Sequence, residues 1–423
     1  MKLNIKISSH ILLYAVCFFA LNASCQSKSQ VSEKQSVKKP NSQKIDKISK
    51  ATFFLENSGS MFGYVNGITE YVQVVSELSH KSEFVIDNVV TEFNFINGDN
   101  IVITPLGKDP DVLKSKLNSV GYNVGNTKKS NLNGMFQKAL LSAGNGNISI
   151  LISDGIYDVG NSNNPLSALS IEGQATKAKF IDRLKKSNIQ TLLIKLNSDF
   201  KGNYCFASKV GSQNINHKRP YYIWIFGESQ LLNKYFPEEY FSAKLKGYEN
   251  YARFVNPENN SFSFQVVPNN KIGSFKFDSK NKNLLLDAKP APSGQFQFTV
   301  AVDFSSLPFS EQYLTSPSNY TVNSNYIIVS IKRPSSAIHG PPFNTSHLIT
   351  LSTKTNPYGF LNLSLKNIVP PWIASTNSDN ESNINNDIQH TFGLKILTDG
   401  ISQAYQDIAK SKTFLSILVD IKP

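Results

Sequence analysis

The hydrophobic pattern changes character once along the chain. From Ala51 to about Ala243, short continuous apolar runs alternate with stretches in which apolar residues return every three or four positions. The runs "ATFFLEN", "VVTEFNFING", "NIVITPLG", "ISILIS", "IQTLLIKL" and "YYIWIF" are bounded by turn-forming residues and read as strands. Between them, Ile68, Tyr71, Val72, Val75 and Leu78 predict one helix. Leu132, Met135, Phe136, Ala139, Leu140 and Ala143 predict a second, and Ile171, Ala175, Ala178, Ile181 and Leu184 a third. Strand and helix in alternation predict an α/β unit over 51–243, a doubly wound, mostly parallel sheet covered on both faces. Ligands of such sheets bind at the carboxyl ends of the strands.

After about Pro237 the period shortens to two. "SFSFQVV", "GSFKFD", "NLLLDA", "GQFQFTVAVDF", "SNYIIVSIK", "HLITLST" and "FLNLSLK" are short segments, most of them alternating. In "GQFQFTVAVDF", Phe296, Phe298, Val300, Val302 and Phe304 face one side. The segment 244–423 is therefore expected to be a β-rich, sandwich-like domain, closed by a C-terminal helix and strand. Two loops interrupt it: the Pro-rich Arg333–His347, with His339 and His347 expected in solvent, and the polar Ser375–Asp387, expected to be mobile.

The N-terminus has a different logic. A basic start, the apolar run Ile11–Leu21 and small residues before Cys25 form the layout of a signal peptide over 1–24. "LNASC" resembles a bacterial lipoprotein box, although Asn22 stands where that pattern usually has Leu. The resemblance implies lipid on Cys25. Residues 25–50, rich in Ser, Gln and Lys, read as a disordered basic tether. Cys17 leaves with the signal segment, so Cys205 would be the remaining free thiol, expected in the core. The expected setting is an exported protein anchored in a bacterial envelope, with the outer membrane favoured over the inner. The formal net charge of +12 then favours acidic partners, not nucleic acid.

Chemistry concentrates at three strand ends. Glu56, Ser58 and Ser60 follow the first strand in "ENSGSM"; Ser130 precedes the second helix in "KSNL"; Asp154 follows the "ISILIS" strand in "LISDG". Two carboxylates and three hydroxyls form an oxygen-only set, which suits Mg2+, Mn2+ or Ca2+ and not zinc or copper. Each piece also has an ordinary role: Ser58, Ser60 and Ser130 as turn or cap residues, and Glu56 as a partner for Lys128 or Lys129. No Gly-x-Ser-x-Gly, Walker-type loop or Cys-x-x-Cys occurs.

The order of these clusters resembles the von Willebrand factor type A domain with its metal-ion-dependent adhesion site. Ser58, Ser60, Ser130 and Asp154 match that motif, whereas Glu56 stands where the family has Asp. The resemblance implies one divalent cation whose open position takes an Asp or Glu from a partner protein. The expected function is cation-dependent protein binding in adhesion or assembly. A metal-free scaffold is the alternative, and a metal-assisted envelope hydrolase, for which no general base is evident, is the second.

Overall fold

The computed structural model describes residues 46–256, 262–305, 307, 309–323, 325–382, 384–385 and 387–423. The signal segment, Cys25 and most of the tether lie outside them. The tether ends earlier than expected: Ile48 is buried, and Lys50 already pairs with Val90 and Asn147.

One seven-stranded sheet holds β1 (Lys50–Glu56), β2 (Val90–Asn97), β3 (Val102–Gly107), β4 (Asn147–Ser153), β5 (Gln190–Cys205), β6 (Ser212–Gly227) and β7 (Tyr248–Phe254), in the order β3-β2-β1-β4-β6-β5-β7. β2, β1 and β4 are parallel, and β3 is an antiparallel edge. Beyond β4 the expectation of a mostly parallel sheet fails, because β6 pairs antiparallel with both β4 and β5, and β5 is antiparallel to β7. The physical reason is the hairpin: β5 and β6 are paired along all sixteen residues of each, so β6 is folded back into the position beside β4. The result is a mixed sheet.

Helices α1 (Glu70–Ser79), α2 (Ser82–Ile86), α3 (Pro110–Lys116), α4 (Ser119–Tyr122), α5 (Leu132–Ser142), α6 (Pro165–Leu184), α7 (Ser229–Tyr235) and α8 (Glu238–Lys244) belong to this layer. Two faces differ from the expected ones. Ile68 is exposed because Thr69 caps α1 and leaves it outside the helix. α6 buries Leu169, Gly173, Thr176, Phe180 and Leu184, while Ile171 is exposed.

The β-rich part packs two sheets around a second core. β8 (Ser263–Ile272), β9 (Ser274–Phe277), β10 (Leu284–Lys289), β11 (Phe296–Asp303), helix α9 (Glu311–Thr315), β12 (Tyr320–Val322), β13 (Ile327–Lys332), β14 (His347–Thr353) and β15 (Gly359–Lys366) follow in order. Helix α10 (Pro371–Thr376), the short pair β16 (Asn377–Ser378) and β17 (Thr391–Phe392), helix α11 (Leu394–Ala409) and β18 (Thr413–Ile421) end the chain. The sheets are β12-β15-β18-β10-β9 and β13-β14-β11-β8. Phe296, Phe298, Val300, Val302 and Phe304 are all buried in this core, as their alternation requires.

The expected boundary at residue 243 does not separate the two layers. β7 extends the large sheet, and α11 packs on α6, placing Leu394, Leu397, Ile401, Ala404 and Tyr405 in the first core. No described helix is long and apolar enough to cross a membrane.

Candidate functional site

Because β1, β2 and β4 are parallel, their carboxyl ends open on one edge of the sheet. β1 ends at Glu56 and runs into a 3-10 helix, Gly59–Val65; β4 ends at Ser153, one residue before Asp154. The third contributor is the loop before α5. It is held to the end of β2 by a bridge between Gly98 and Ser130, with Gly98 N donating to Lys129 O at 3.0 Å.

Two buried asparagines lock these loops together. Asn57 Nδ2 donates to Tyr122 O and Val124 O, both at 2.9 Å. Asn97 Nδ2 donates to Asn57 Oδ1 at 3.0 Å and to Val124 O at 2.8 Å. Gly59 N donates to Thr127 O at 2.7 Å. Gly155 then turns the chain away from Asp154 at φ +71°, where a Cβ would also stand 2.8 Å from the Tyr222 ring.

All five candidate residues, Glu56, Ser58, Ser60, Ser130 and Asp154, line one pocket of about 350 Å3. Ser58 Oγ and Ser130 Oγ each donate to Glu56 Oε1 at 2.7 Å, and the Ser58 and Ser60 hydroxyls lie 3.1 Å apart. The ordinary roles are filled by other groups. α5 is capped by Asn131, which accepts from Gly134 N at 2.8 Å, and Ser58 makes no capping bond. Among the described residues Glu56 has no ion-pair partner, and Lys128 and Lys129 are exposed on the rim.

Glu56 and Asp154 are both buried. Burial first, and the Asp154 charge second, push the Glu56 carboxyl from its ordinary 4.5 up to about 7, against the Ser153, Ser58 and Ser130 hydroxyls that favour its ionised form. Burial also raises Asp154, opposed chiefly by Arg219, then by the Ser60 hydroxyl and Ile156 N–H. Asp154 Oδ2 has no hydrogen-bond partner.

These features fit a hard divalent cation. Neighbouring ligands on an octahedron of Mg2+ radius are roughly 2.9 Å apart; the carboxylate–hydroxyl and hydroxyl–hydroxyl spacings here are 2.7 to 3.1 Å. A partnerless buried oxygen and two buried carboxylates raised toward neutrality are what a cation would satisfy. Among the described residues no group of three or more His, Cys, Asp or Glu side chains gathers as a metal-binding set, so the donor set here depends on its hydroxyls.

Several residues at this edge carry no motif of their own. Ser153 accepts from Gly155 N at 2.9 Å beneath the carboxylates, and Asp158 adds a third carboxylate to the pocket wall. Arg219 is buried nearby on β6. Its position before "YYIWIF" is visible in the sequence, but the edge it reaches depends on the direction of β6. Cys205 was expected in the core; it is exposed and lines the pocket. The loop expected to be mobile supplies Glu381, which is buried and accepts from Tyr204 Oη at 2.6 Å, Ser208 Oγ at 2.7 Å, Ser208 N at 2.8 Å and Ala207 N at 3.0 Å. It thereby fixes the 205–207 wall of the pocket.

A larger cavity, about 710 Å3, lies elsewhere, lined by Arg253, Glu311, Arg333 and His347 among others. His347, expected in solvent, is buried and lies 3.2 Å from both Glu311 oxygens, while Arg333 holds Glu311 at 2.7 Å. Glu311, Arg333 and His347 are engaged with one another there, whereas the smaller pocket gathers two buried carboxylates with no ion-pair partner among the described residues, so it is the better candidate. No protein-family model matches the chain, and no curated protein matches it.

Proposed function

We propose that the protein is a cation-dependent protein-binding module of a bacterial envelope, anchored by lipid on Cys25, whose α/β layer is a divergent von Willebrand factor type A-like domain. The observation that carries this reading is the convergence of Glu56, Ser58, Ser60, Ser130 and Asp154 from three loops onto one pocket. Parallel β2, β1 and β4 with helices between them support a doubly wound layer on this side of the sheet; the antiparallel β6-β5-β7 side departs from one. Ser58, Ser60 and Ser130 would hold Mg2+ or Mn2+ through hydroxyl oxygens, with Glu56 close and Asp154 acting mainly through water. The bound ion would supply a positive centre for a carboxylate of a partner. Lys128 and Lys129 at the rim would steer an acidic surface toward it.

Calorimetry with Mg2+ and Mn2+, paired with crosslinking in native envelopes with and without chelator, tests this. Wild type should bind the ion at micromolar to millimolar concentration, and Ser58→Ala and Ser60→Ala should weaken metal and partner capture together. No binding at millimolar metal by wild type or by Glu56→Asp would overturn the reading. Mass spectrometry of the mature N-terminus decides the anchor: an unacylated protein, or one starting elsewhere than Cys25, removes it.

A further inference from the structure

Arg219 is 1% exposed. Its guanidinium lies against aromatic rings: 4.4 Å from the Tyr204 centroid, 4.9 Å from Phe200 and 5.9 Å from Tyr64. Nε and Nη1 have no hydrogen-bond partner, and among the described residues no carboxylate forms an ion pair with it. A buried, uncompensated charge is costly. Across the same strand ends stand two buried carboxylates, one with a partnerless oxygen. Arg219 Nε and Nη1 on one side and Asp154 Oδ2 on the other lack a hydrogen-bond partner, and the two groups carry opposite charges.

The topology explains the juxtaposition. Ser153, the last residue of β4, pairs with Tyr222 of the antiparallel β6. Arg219 precedes Tyr222 on a strand running the other way, so it extends past the carboxyl end of β4, to the edge where Asp154 begins. A parallel neighbour could not have delivered a residue from its own early half to this edge. Arg219 also pairs across to Ser198 in the β5–β6 ladder, which fixes its position.

We infer that Arg219 is the resident counter-charge of the candidate cation site, a positioning residue that offsets the Asp154 charge in the ion-free protein and sets the charge of the loaded one. Among the charged groups acting on Asp154, Arg219 is the strongest that favours its ionised form. With both carboxylates ionised, the trio carries one net negative charge, and a divalent ion leaves one net positive charge. Arg219 therefore weakens cation binding and makes the loaded site attract an anionic group. The counter-charge rests on the strand register and the unpartnered guanidinium; its effect on ion affinity rests on the cation reading proposed above.

The test is a double-mutant cycle on the full chain: Arg219→Met, Asp154→Asn and the double variant, with Arg219→Lys as the charge-preserving control. Thermal melts in chelator should show a large loss for Arg219→Met, a small one for Arg219→Lys, and recovery of part of the loss when Asp154→Asn is added. Titration with Mg2+ alone should show Arg219→Met binding about tenfold more tightly than wild type, because a like charge has been removed. A merely structural arginine would not tighten the ion. Additive losses in the cycle would overturn the proposal, as would a double variant no better folded than Arg219→Met. Equal Mg2+ affinity in wild type and Arg219→Met would overturn the effect on the ion. If no variant binds Mg2+ while the melts remain coupled, the cation reading fails and the counter-charge stands.

Discussion

Ser130 and Asn131 are neighbours with separate work. Asn131 caps α5, and the Ser130 hydroxyl is left to Glu56. Asn131→Ala should therefore cost about 1 kcal/mol of stability and leave Mg2+ affinity nearly unchanged. Ser130→Ala should weaken Mg2+ affinity about tenfold by removing a hydroxyl oxygen from the ion, and should cost about 1 kcal/mol in chelator through its lost bond to Glu56, with the α5 cap intact. Melts and calorimetry on the two variants check it, and equal effects on both quantities would merge the roles. Glu56 sets a pH dependence of definite sign. Its folded carboxyl is raised from 4.5 to about 7, so the ion-free fold holds a proton that the unfolded chain has released. That contribution is fully present below pH 4.5 and is lost as pH rises through about 7, on the order of 3 kcal/mol in all. In chelator, wild type should lose stability from pH 5 to pH 8 more steeply than Glu56→Gln. With Mg2+ the sign reverses, because protons compete with the ion: its stabilising shift should grow over the same range. Parallel slopes for wild type and Glu56→Gln would show that Glu56 titrates normally.

At the scale of elements, the 3-10 helix Gly59–Val65 carries Ser60 and must be seated correctly. It is seated on β5 by two glycines: a Cβ on Gly63 would fall 2.4 Å from the Phe200 ring, and one on Gly202 would fall 2.9 Å from Gly63 Cα. Gly63→Ala should cost about 1–3 kcal/mol by overpacking and should weaken ion binding, since the displaced helix bears a ligand. A melt and a Mg2+ titration test both arms; a destabilised variant with wild-type affinity would show that the loop is set by Asn57 and not by this seat. The same elements show what the sequence could disclose. β1 and β4 were legible because strands buried on both faces are written as unbroken apolar runs. The chemistry at their ends was legible too, because strand ends and hydroxyl spacing are local properties. The second half of β5 was not. Its inward positions Leu196, Ser198, Phe200, Gly202 and Tyr204 keep the period of two, but Ser198 and Gly202 dilute the apolar signal. Strand direction left no local mark either, so neither the reversal of β6 nor the arrival of Arg219 could be read from composition or period.

For the molecule as a whole, the return of α11 decides whether the α/β layer is separable. Gly173 and Gly400 meet where α6 and α11 cross; a Cβ on Gly400 would lie 2.5 Å from Gly173 O. Tyr405 Oη shares a hydrogen bond with Thr191 Oγ1 at 2.9 Å at the start of β5, and Tyr222 Oη shares one with Thr391 Oγ1 at 2.8 Å. Glu381 adds its bonds to the pocket wall. A chain cut after residue 256 would expose the apolar face of α6 and leave buried Thr191 and Tyr222 hydroxyls unpartnered, a combination that costs several kcal/mol against the few that hold a domain folded. A 46–256 fragment is therefore expected to be unfolded or aggregated, although it contains every candidate ligand of the ion. Adding the 368–411 segment in trans should restore both a cooperative melt and Mg2+ binding. Circular dichroism melts of the fragment, alone and with that segment, are the measurement. A stable 46–256 fragment that binds Mg2+ by itself would show that α11 is an accessory cover, and the α/β layer would then be a domain in its own right.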